Sequence, residues 1–222
     1  TEIGKYSFFL TNITTLPSID GADHVGDYAF AFTLITEVNI GDGVVIGEGA
    51  FSYCDPLANI ENLASVEKIG DYAFAMSRIT AVDLDGVQSV KECAFTGSKL
   101  QSVAIPDSVT EMGKEAFSNS LDLASVTLGN GLTKISSGAF SNCWSLTSIE
   151  IPASISSIDD SAFAGTVSLA TLTFAENSQL AKIALAAFSE SGVRSVVFPN
   201  TLTAIGDLAF CGTPLSLVDF GT

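Results

Sequence analysis

The sequence predicts an α/β solenoid, in which short repeats stack one on another along the chain. A short apolar segment ending in phenylalanine recurs every 21 to 25 residues from one end to the other. Repeats of this length bury their apolar side only by stacking on their neighbours. The phenylalanines of the ten repeats are Phe8, Phe30, Phe51, Phe74, Phe95, Phe117, Phe140, Phe163, Phe188 and Phe210. The unbroken period indicates a single domain over residues 1–222.

The first element of each repeat is a short strand. Five or six residues after the phenylalanine comes an apolar triplet such as Leu146, Ile149 and Ile151, whose last two members alternate with polar residues. A period of two is typical of a half-buried strand. A proline or glycine often follows, as at Pro106 and Pro152, and ends the strand.

Two further elements complete each repeat. A stretch such as residues 201–206 alternates again and is long enough for a second short strand or an extended turn. The Asp-x-Ala-Phe segment that follows is interpreted as a single helical turn. An aspartate at the start of such a turn is expected to cap its free backbone N–H groups, and this role is favoured over ligand binding. The candidate capping residues are Asp27, Asp71, Asp160 and Asp207.

The combined pattern L-x-x-I-x-I-P, I-x-x-I and I-G-x-x-A-F-x-x-C resembles the BspA-like class of leucine-rich repeats. The L-x-x-I-x-I-P part of the pattern is clearest between Phe140 and Pro152. The resemblance covers essentially the whole chain. The resemblance implies a curved solenoid with a parallel sheet on its concave face. It also implies surface or secreted proteins of host-associated bacteria, with relatives in some parasitic protists, several of them linked to adhesion to host matrix proteins or to other cells.

Composition favours a folded extracellular domain. Apolar residues make up 47% of the chain and charged residues 15%, which excludes a disordered polyampholyte. No apolar run approaches the roughly eighteen residues that cross a bilayer, so we expect no membrane insertion by this domain. The chain opens at Thr1 in mid-repeat without a signal peptide. We therefore expect a fragment of a longer exported protein, located outside the cell or on its surface.

The charge balance bears on the choice of partner. The formal net charge is −16, from 25 acidic and 9 basic residues. This balance opposes binding to nucleic acid or to anionic membranes, because neutralising phosphates requires clustered Lys and Arg. It weakly favours basic or neutral partners. The alternative is that the charge only keeps an apolar-rich secreted protein soluble.

The four cysteines are expected to be free and buried. Cys54 and Cys143 stand three residues after a repeat phenylalanine, whereas Cys93 stands two before and Cys211 one after. Cys54 and Cys93 already belong to repeats two layers apart, and the other pairs are further separated. Two layers of stacked strands exceed the Cα separation of about 7 Å that a disulfide tolerates.

The sequence contains no recognisable catalytic arrangement. His24 is the only histidine, no Ser–His or Cys–His pairing at catalytic spacing is present, and no Gly-rich phosphate loop follows a strand. Nothing fixes the separation of a carboxylate pair or raises one of their pKa values. We therefore expect a protein that is not an enzyme and that has no cofactor and no metal site.

Residues flanking the central strand position should project from the concave face. In the N-terminal repeats they are mostly acidic or carry amides, and in the middle repeats most carry hydroxyls. Such a face can bind a protein loop, a glycan or a cation, and the alternative is a solvated face without a ligand. The candidate ligand-binding residues are Glu37, Asn39, Asn59, Glu61 and Asp83.

A second candidate surface lies at the edge that leads into the sheet. Leu121, Trp144 and Val167 occupy the same position, four residues after the phenylalanine, in consecutive repeats. They are expected to form an apolar contact strip around the only tryptophan. The alternative is that Trp144 folds over its own edge and shields the core.

Two functions remain open at this point. The first is an exported recognition or adhesion module that binds a protein or glycan ligand, such as a host extracellular-matrix component. The second is a structural spacer that displays another domain and has no ligand of its own. We expect a monomer, in which Val197 and Leu217 of the last layers are covered by residues outside this sequence. The alternative there is end-to-end association.

Overall fold

The ten repeats stack into one solenoid of parallel strands joined by turns. The computed structural model describes residues 1–16, 18–19, 21–41, 43–63 and 66–221. In chain order its strands are β1 (Glu2–Ile3), β2 (His24–Val25), β3 (Glu37–Asn39), β4 (Val45–Ile46), β5 (Asn59–Glu61), β6 (Lys68–Ile69), β7 (Ser89–Val90), β8 (Ser102–Ile105), β9 (Glu111–Met112), β10 (Ser125–Leu128), β11 (Lys134–Ile135), β12 (Ser148–Ile151), β13 (Ser157–Ile158), β14 (Thr171–Phe174), β15 (Lys182–Ile183), β16 (Ser195–Val197), β17 (Ala204–Ile205) and β18 (Leu217–Asp219).

The longer strands form one column along the solenoid. They pair in parallel as β3–β5, β8–β10, β12–β14 and β16–β18. In β12, Ser148 and Glu150 are exposed while Ile149 and Ile151 are buried, which is the predicted alternation. We call the outward side of these strands, with the equivalent residues 81–83, the long-strand face.

The shorter strands form a second column with one two-residue strand in each repeat. They are hydrogen-bonded in the orders β1-β2-β4-β6-β7-β9 and β11-β13-β15-β17. In the eight inner repeats their second residues are buried, as with the register partners Ile135 and Ile158. Ile3 of β1 is half-buried and Ile205 of β17 is exposed. Of the two predicted alternatives for this stretch, a second short strand and an extended turn, each repeat has the short strand.

The segment around each repeat phenylalanine is not a helical turn, so this part of the predicted fold is wrong. In the second repeat the backbone N–H groups of Tyr28, Phe30 and Phe32 donate to carbonyls of the next repeat at 2.7, 2.8 and 2.9 Å. The intervening N–H groups close successive β-turns within the repeat. Tyr28 and Phe32 have left-handed φ angles of 54° and 59°, which an α-helix cannot contain. We call the outward side of these segments the turn face.

The aspartates of the turn face cap backbone groups in the next repeat and not in their own. Asp27 Oδ1 accepts from the N–H of Glu48 at 3.2 Å, and Asp71 Oδ1 accepts from the N–H of Glu92 at 2.9 Å. Asp160 Oδ1 accepts from the next repeat in the same way. The prediction that each aspartate caps N–H groups of its own repeat is therefore wrong. Alternate backbone N–H groups of these turn segments point along the solenoid, toward the neighbouring repeat. Asp207, in the last repeat, is exposed.

The repeat phenylalanines stack into a continuous column at the centre of the solenoid. From Phe8 to Phe210 the centroids of successive rings lie 5.0 to 5.6 Å apart, at interplanar angles of 4° to 14°. The eight inner rings are fully buried, whereas Phe8 and Phe210 at the two ends are not. The stacked core predicted from the period is confirmed.

All four cysteines are free thiols. Cys54, Cys93 and Cys143 are buried as expected, and burial raises the pKa of Cys143 to about 12. Cys211 is exposed, contrary to the expectation. Its equivalents in earlier repeats, such as Ala31, are covered by the repeat that follows, and Cys211 lies in the last one.

Candidate functional site

Four of the five predicted ligand-binding residues lie side by side on the long-strand face. Glu37 of β3 is the register partner of Asn59 of β5, and Asn39 is the partner of Glu61. Glu37, Asn59 and Glu61 are exposed, and Asn39 is half-buried. The Nδ2 of Asn62 donates to Asn39 Oδ1 at 2.7 Å, which fixes that amide. The parallel ladder thus sets two carboxylates and two amides in a small square.

Asp83 lies outside this square. Residues 81–84 form no strand in the described structure, so no ladder joins Asp83 to β5. The side chain is exposed, and its Oδ1 accepts from the backbone N–H of Asp85 at 3.0 Å. This contact within an Asp-x-Asp-Gly segment is a turn signal that the sequence reading missed.

The middle of the long-strand face carries hydroxyl groups. Ser102 pairs in register with Ser125, and Ser148 with Thr171. Strands β10 and β12 are neighbours that belong to different sheets. A shallow groove of about 430 Å³ lies between them and is lined in part by Ser125, Thr127 and Glu150. The groove offers hydroxyl donors and acceptors with a single carboxylate.

The predicted apolar strip is only partly continuous. Trp144 and Val167 are 52% and 57% exposed, whereas Leu121 is half-buried. Trp144 and Leu121 line one depression of about 730 Å³, and Val167 lines another. More than half of Trp144 faces solvent, so shielding of the core does not account for this side chain.

Charged residues border the depression at Trp144, and the sequence reading missed them. Arg78 Nε donates to Asp55 Oδ1 at 3.1 Å, and Lys99 Nζ lies 3.3 Å from Asp122 Oδ2. Arg78 and Lys99 occupy the same repeat position as Trp144, four residues after the phenylalanine. Reading that position through every repeat would have found them. The edge is therefore a mixed apolar and charged surface.

Metal ligands do not cluster in the described part of the chain. No group of three or more His, Cys, Asp or Glu side chains there is placed to hold a metal ion. In the same described residues, no helix is long and apolar enough to span a bilayer.

The repeat geometry agrees with the comparison with known families. The family model described as BspA type leucine rich repeat region matches residues 1–100 and 88–216, in six copies. This chain belongs to the BspA-type leucine-rich repeat family. The family resemblance proposed from the repeat pattern is confirmed.

Solved structures of bacterial leucine-rich repeat proteins are similar to this BspA-type chain. A protein from Bacteroides ovatus is 26% identical with a TM-score of 0.76, and the match covers 89% of this chain and 55% of that protein. A protein from Eubacterium ventriosum is 19% identical with a TM-score of 0.72, covering 96% and 68%. The pneumococcal vaccine antigen PcpA is 17% identical with a TM-score of 0.59, covering 98% and 60%. The latter two likenesses concern the fold alone.

This BspA-type chain thus spans 55% of the length of the Bacteroides ovatus protein. No curated protein sequence matches the chain significantly. The family assignment therefore rests on the repeats themselves.

Proposed function

We propose that this chain is a non-enzymatic recognition module, secreted or carried on the cell surface, that binds a protein or glycan ligand through its solenoid surface. The single observation that supports this proposal most directly is the square formed by Glu37, Asn59, Asn39 and Glu61. The extracellular location and a host extracellular-matrix ligand belong to the same proposal, which the family membership favours.

The square suits recognition because its backbone is rigid and its polar groups are varied. A parallel ladder spaces register partners at about 4.8 Å, so the backbone sets the relative positions of the four residues before a ligand arrives. Carboxylates accept hydrogen bonds, and amides both donate and accept them. Sugar hydroxyls and peptide backbone groups fit such a set equally well, so both ligand classes belong in the test.

The test is binding of the purified domain to an array of extracellular-matrix proteins and glycans, beside a Glu37→Ala/Glu61→Ala variant. A matched control is Glu150→Ala, which removes an exposed carboxylate from β12 on the same face. We expect a specific ligand whose binding is lost in the double variant and kept in the control. Circular dichroism melts establish that both variants are folded.

Two other results would change the proposal. A ligand that binds the double variant as well as wild type would move the site to the edge at Trp144, where Trp144→Ala is the next variant. A domain that binds nothing on the array would favour the spacer function, in which the solenoid displays another domain.

A further inference from the structure

Five aromatic rings form a continuous cluster on the turn face of the first three repeats. Tyr6 stacks on Tyr28 with ring centroids 5.3 Å apart, and Phe32 stacks on Tyr53 at 4.6 Å. Phe9 joins the two pairs through edge contacts of 5.5 Å with Tyr6 and 5.7 Å with Phe32. Tyr6, Phe32 and Tyr53 are 56%, 44% and 49% exposed. Contiguous exposed apolar surface of this kind marks contact with another molecule.

The backbone disfavours large side chains at these positions. The residues two before and two after the phenylalanine have left-handed φ angles in every repeat, and for the large side chains of the first four repeats these angles are 54° to 59°. Glycine and asparagine adopt such angles readily, whereas bulky residues do so at an energetic cost. The large residues are Tyr6, Leu10, Tyr28, Phe32, Tyr53, Tyr72 and Met76.

Later repeats show that the fold does not require large side chains there. The same positions carry mostly glycine and small or polar residues, including Gly97, Asn119, Gly138, Asn142, Gly165 and Gly212. Those repeats keep the same hydrogen bonds between successive turn segments and the same phenylalanine column. The strained aromatic side chains of the first repeats therefore call for an explanation outside the fold, and contact with a partner supplies one.

A row of carboxylates borders the aromatic cluster. Asp27, Glu48, Asp71 and Glu92 stand three residues before the phenylalanine in four consecutive repeats. The hydroxyl of Tyr28 donates to Glu48 Oε1 at 2.5 Å, so Glu48 lies directly beside the rings, and Asp71 and Glu92 continue the row in the next two repeats. Asp27 is paired with a lysine, whereas Glu48, Asp71 and Glu92 form no ion pair within the described residues.

We infer that this aromatic and acidic part of the turn face is a second interaction surface, which binds a protein segment carrying both apolar and basic side chains. The rings bury the apolar side chains, and the unpaired carboxylates complement the basic ones. The surface lies apart from the long-strand face, and the inference holds whether or not that face binds a ligand.

The stacking of the rings favours a peptide over a sugar. A sugar ring docks by laying its C–H groups on an open aromatic face. Within the cluster, Tyr6 and Tyr28 cover each other at an interplanar angle of 9°, and Phe32 and Tyr53 at 2°. Each of these four rings thus has one face covered by its partner, where a sugar cannot lie. Apolar side chains pack against ring edges as well as faces, so they do not need an uncovered face.

The test is selection of displayed random 12-residue peptides on the immobilised domain, followed by affinity measurements on the synthesised peptides. The main variant is Phe32→Asn/Tyr53→Asn, which introduces the residue that Asn119 and Asn142 carry at the same position. Asparagine suits the left-handed backbone, so the variant should fold, and a thermal melt verifies this. Asn142→Gly is the matched control in a later repeat.

A second variant, Glu48→Gln/Glu92→Gln, keeps the rings and removes two charges. We expect selected peptides to combine Lys or Arg with large apolar residues. Their affinity should fall about tenfold or more in the asparagine variant, fall less in the glutamine variant with a weaker salt dependence, and stay unchanged in Asn142→Gly.

Several results would overturn the inference. One is selection of no specific peptide, or of peptides without basic residues. Another is equal affinity of the selected peptides for wild type and the asparagine variant. Binding to a glycan array that the asparagine variant loses would assign the cluster to sugars. A concentration-dependent dimer in sedimentation that the same variant loses would assign it to a second copy of the chain.

Discussion

The first four repeats and the last six share one backbone but present different side chains at the two left-handed positions of the turn face. In the first four, seven of the eight residues there are large and apolar or aromatic, the exception being Gly49. In the last six, Leu208 is the one large apolar residue among these positions. The φ angles are nevertheless alike, for example 56° at Tyr53 and 57° at Asn142.

The comparison shows that the hydrogen bonds between successive turn segments set the left-handed φ angles at these positions, and that the identity of the side chain does not. Each turn is held by hydrogen bonds to the next repeat and by a buried phenylalanine, and both are common to the two regions. The outward residues are thus free to differ, and the conformational cost of an aromatic residue there is carried by the rest of the repeat. Four predictions test this division between shared core and variable surface.

Loss of a core phenylalanine should damage both regions alike and is the largest effect expected. Phe51→Ala and Phe117→Ala each remove a fully buried ring stacked between two others. We expect each to lower the free energy of unfolding by about 3–5 kcal/mol, through lost burial and a cavity. Urea denaturation measures the loss. Phe8→Ala, at a ring that is 38% exposed, should cost less, and an equal cost would contradict the stacked core.

Addition of a methyl group at Gly49 should destabilise the first region. A Cβ at this position would lie 2.3 Å from Cε1 of Tyr28, on a backbone with φ of +57°. We expect Gly49→Ala to cost about 1–3 kcal/mol in a thermal unfolding experiment. In the second region, Gly138→Ala meets the flexible side chain of Glu115 at 2.8 Å, so its cost should be nearer the conformational term of about 1 kcal/mol. The reverse order would contradict the aromatic packing at Tyr28.

Exchange of residues between the two regions should have unequal effects. Asn142→Tyr places a bulky residue in the left-handed region and removes the hydrogen bond of 3.1 Å to Asn119. We expect a loss of about 1 kcal/mol, measured by calorimetry. Tyr53→Asn should change stability by less than about 1 kcal/mol, because relief of strain offsets the lost stacking on Phe32. A stabilising Asn142→Tyr would show that aromatic residues suit these turns intrinsically.

Removal of the Lys5 charge should give the smallest effect and should be confined to the first region. The hydrogen bond from Lys5 Nζ to Asp27, at 2.5 Å, holds the pKa of that carboxyl below its ordinary value. The pair therefore stabilises the fold above the ordinary pKa of Asp, and this contribution is lost as pH falls through the lowered value. We expect Lys5→Met to lower the stability at pH 7 only slightly, because the lysine is exposed and solvent screens its charge.

An NMR pH titration of the Asp27 carboxyl measures the same contact directly. In Lys5→Met its pKa should rise toward the ordinary value. Lys114→Met, at the same repeat position in the sixth repeat, serves as the control and should leave Asp27 unchanged. An Asp27 pKa that does not move in Lys5→Met would contradict the ion pair.

The candidate site on the long-strand face could be predicted in large part from the sequence. Alternation with period two identified which residues point outward, and counting from each phenylalanine placed Glu37 next to Asn59 and Asn39 next to Glu61. Asp83 obeys the same count but lies in a turn formed with Asp85. Repeat alignment assigns a position, whereas hydrogen bonding within one repeat decides whether that position remains a strand.

The turn face could not be predicted in the same way. The Asp-x-Ala-Phe pattern fits one turn of a helix, and tyrosine or phenylalanine at a left-handed position gives no warning of the sign of φ. The signal lay in the glycines and asparagines of later repeats, such as Gly97 and Asn119, which favour left-handed angles. Aligning the same two positions across all repeats would have predicted left-handed φ angles at Tyr6 and Phe32 as well.

The sequence by itself determined the number of repeats, the buried phenylalanine column and the outward residues of each strand, because burial of apolar side chains requires a regular period. Only the tertiary structure decided the conformation of the turns and the direction of the aspartate caps. Their hydrogen bonds run to the next repeat and depend on how two layers meet in space, as with Asp27 and Glu48. The same stacking gathered Tyr6, Tyr28, Phe9, Phe32 and Tyr53 into one cluster, although they are spread over three repeats.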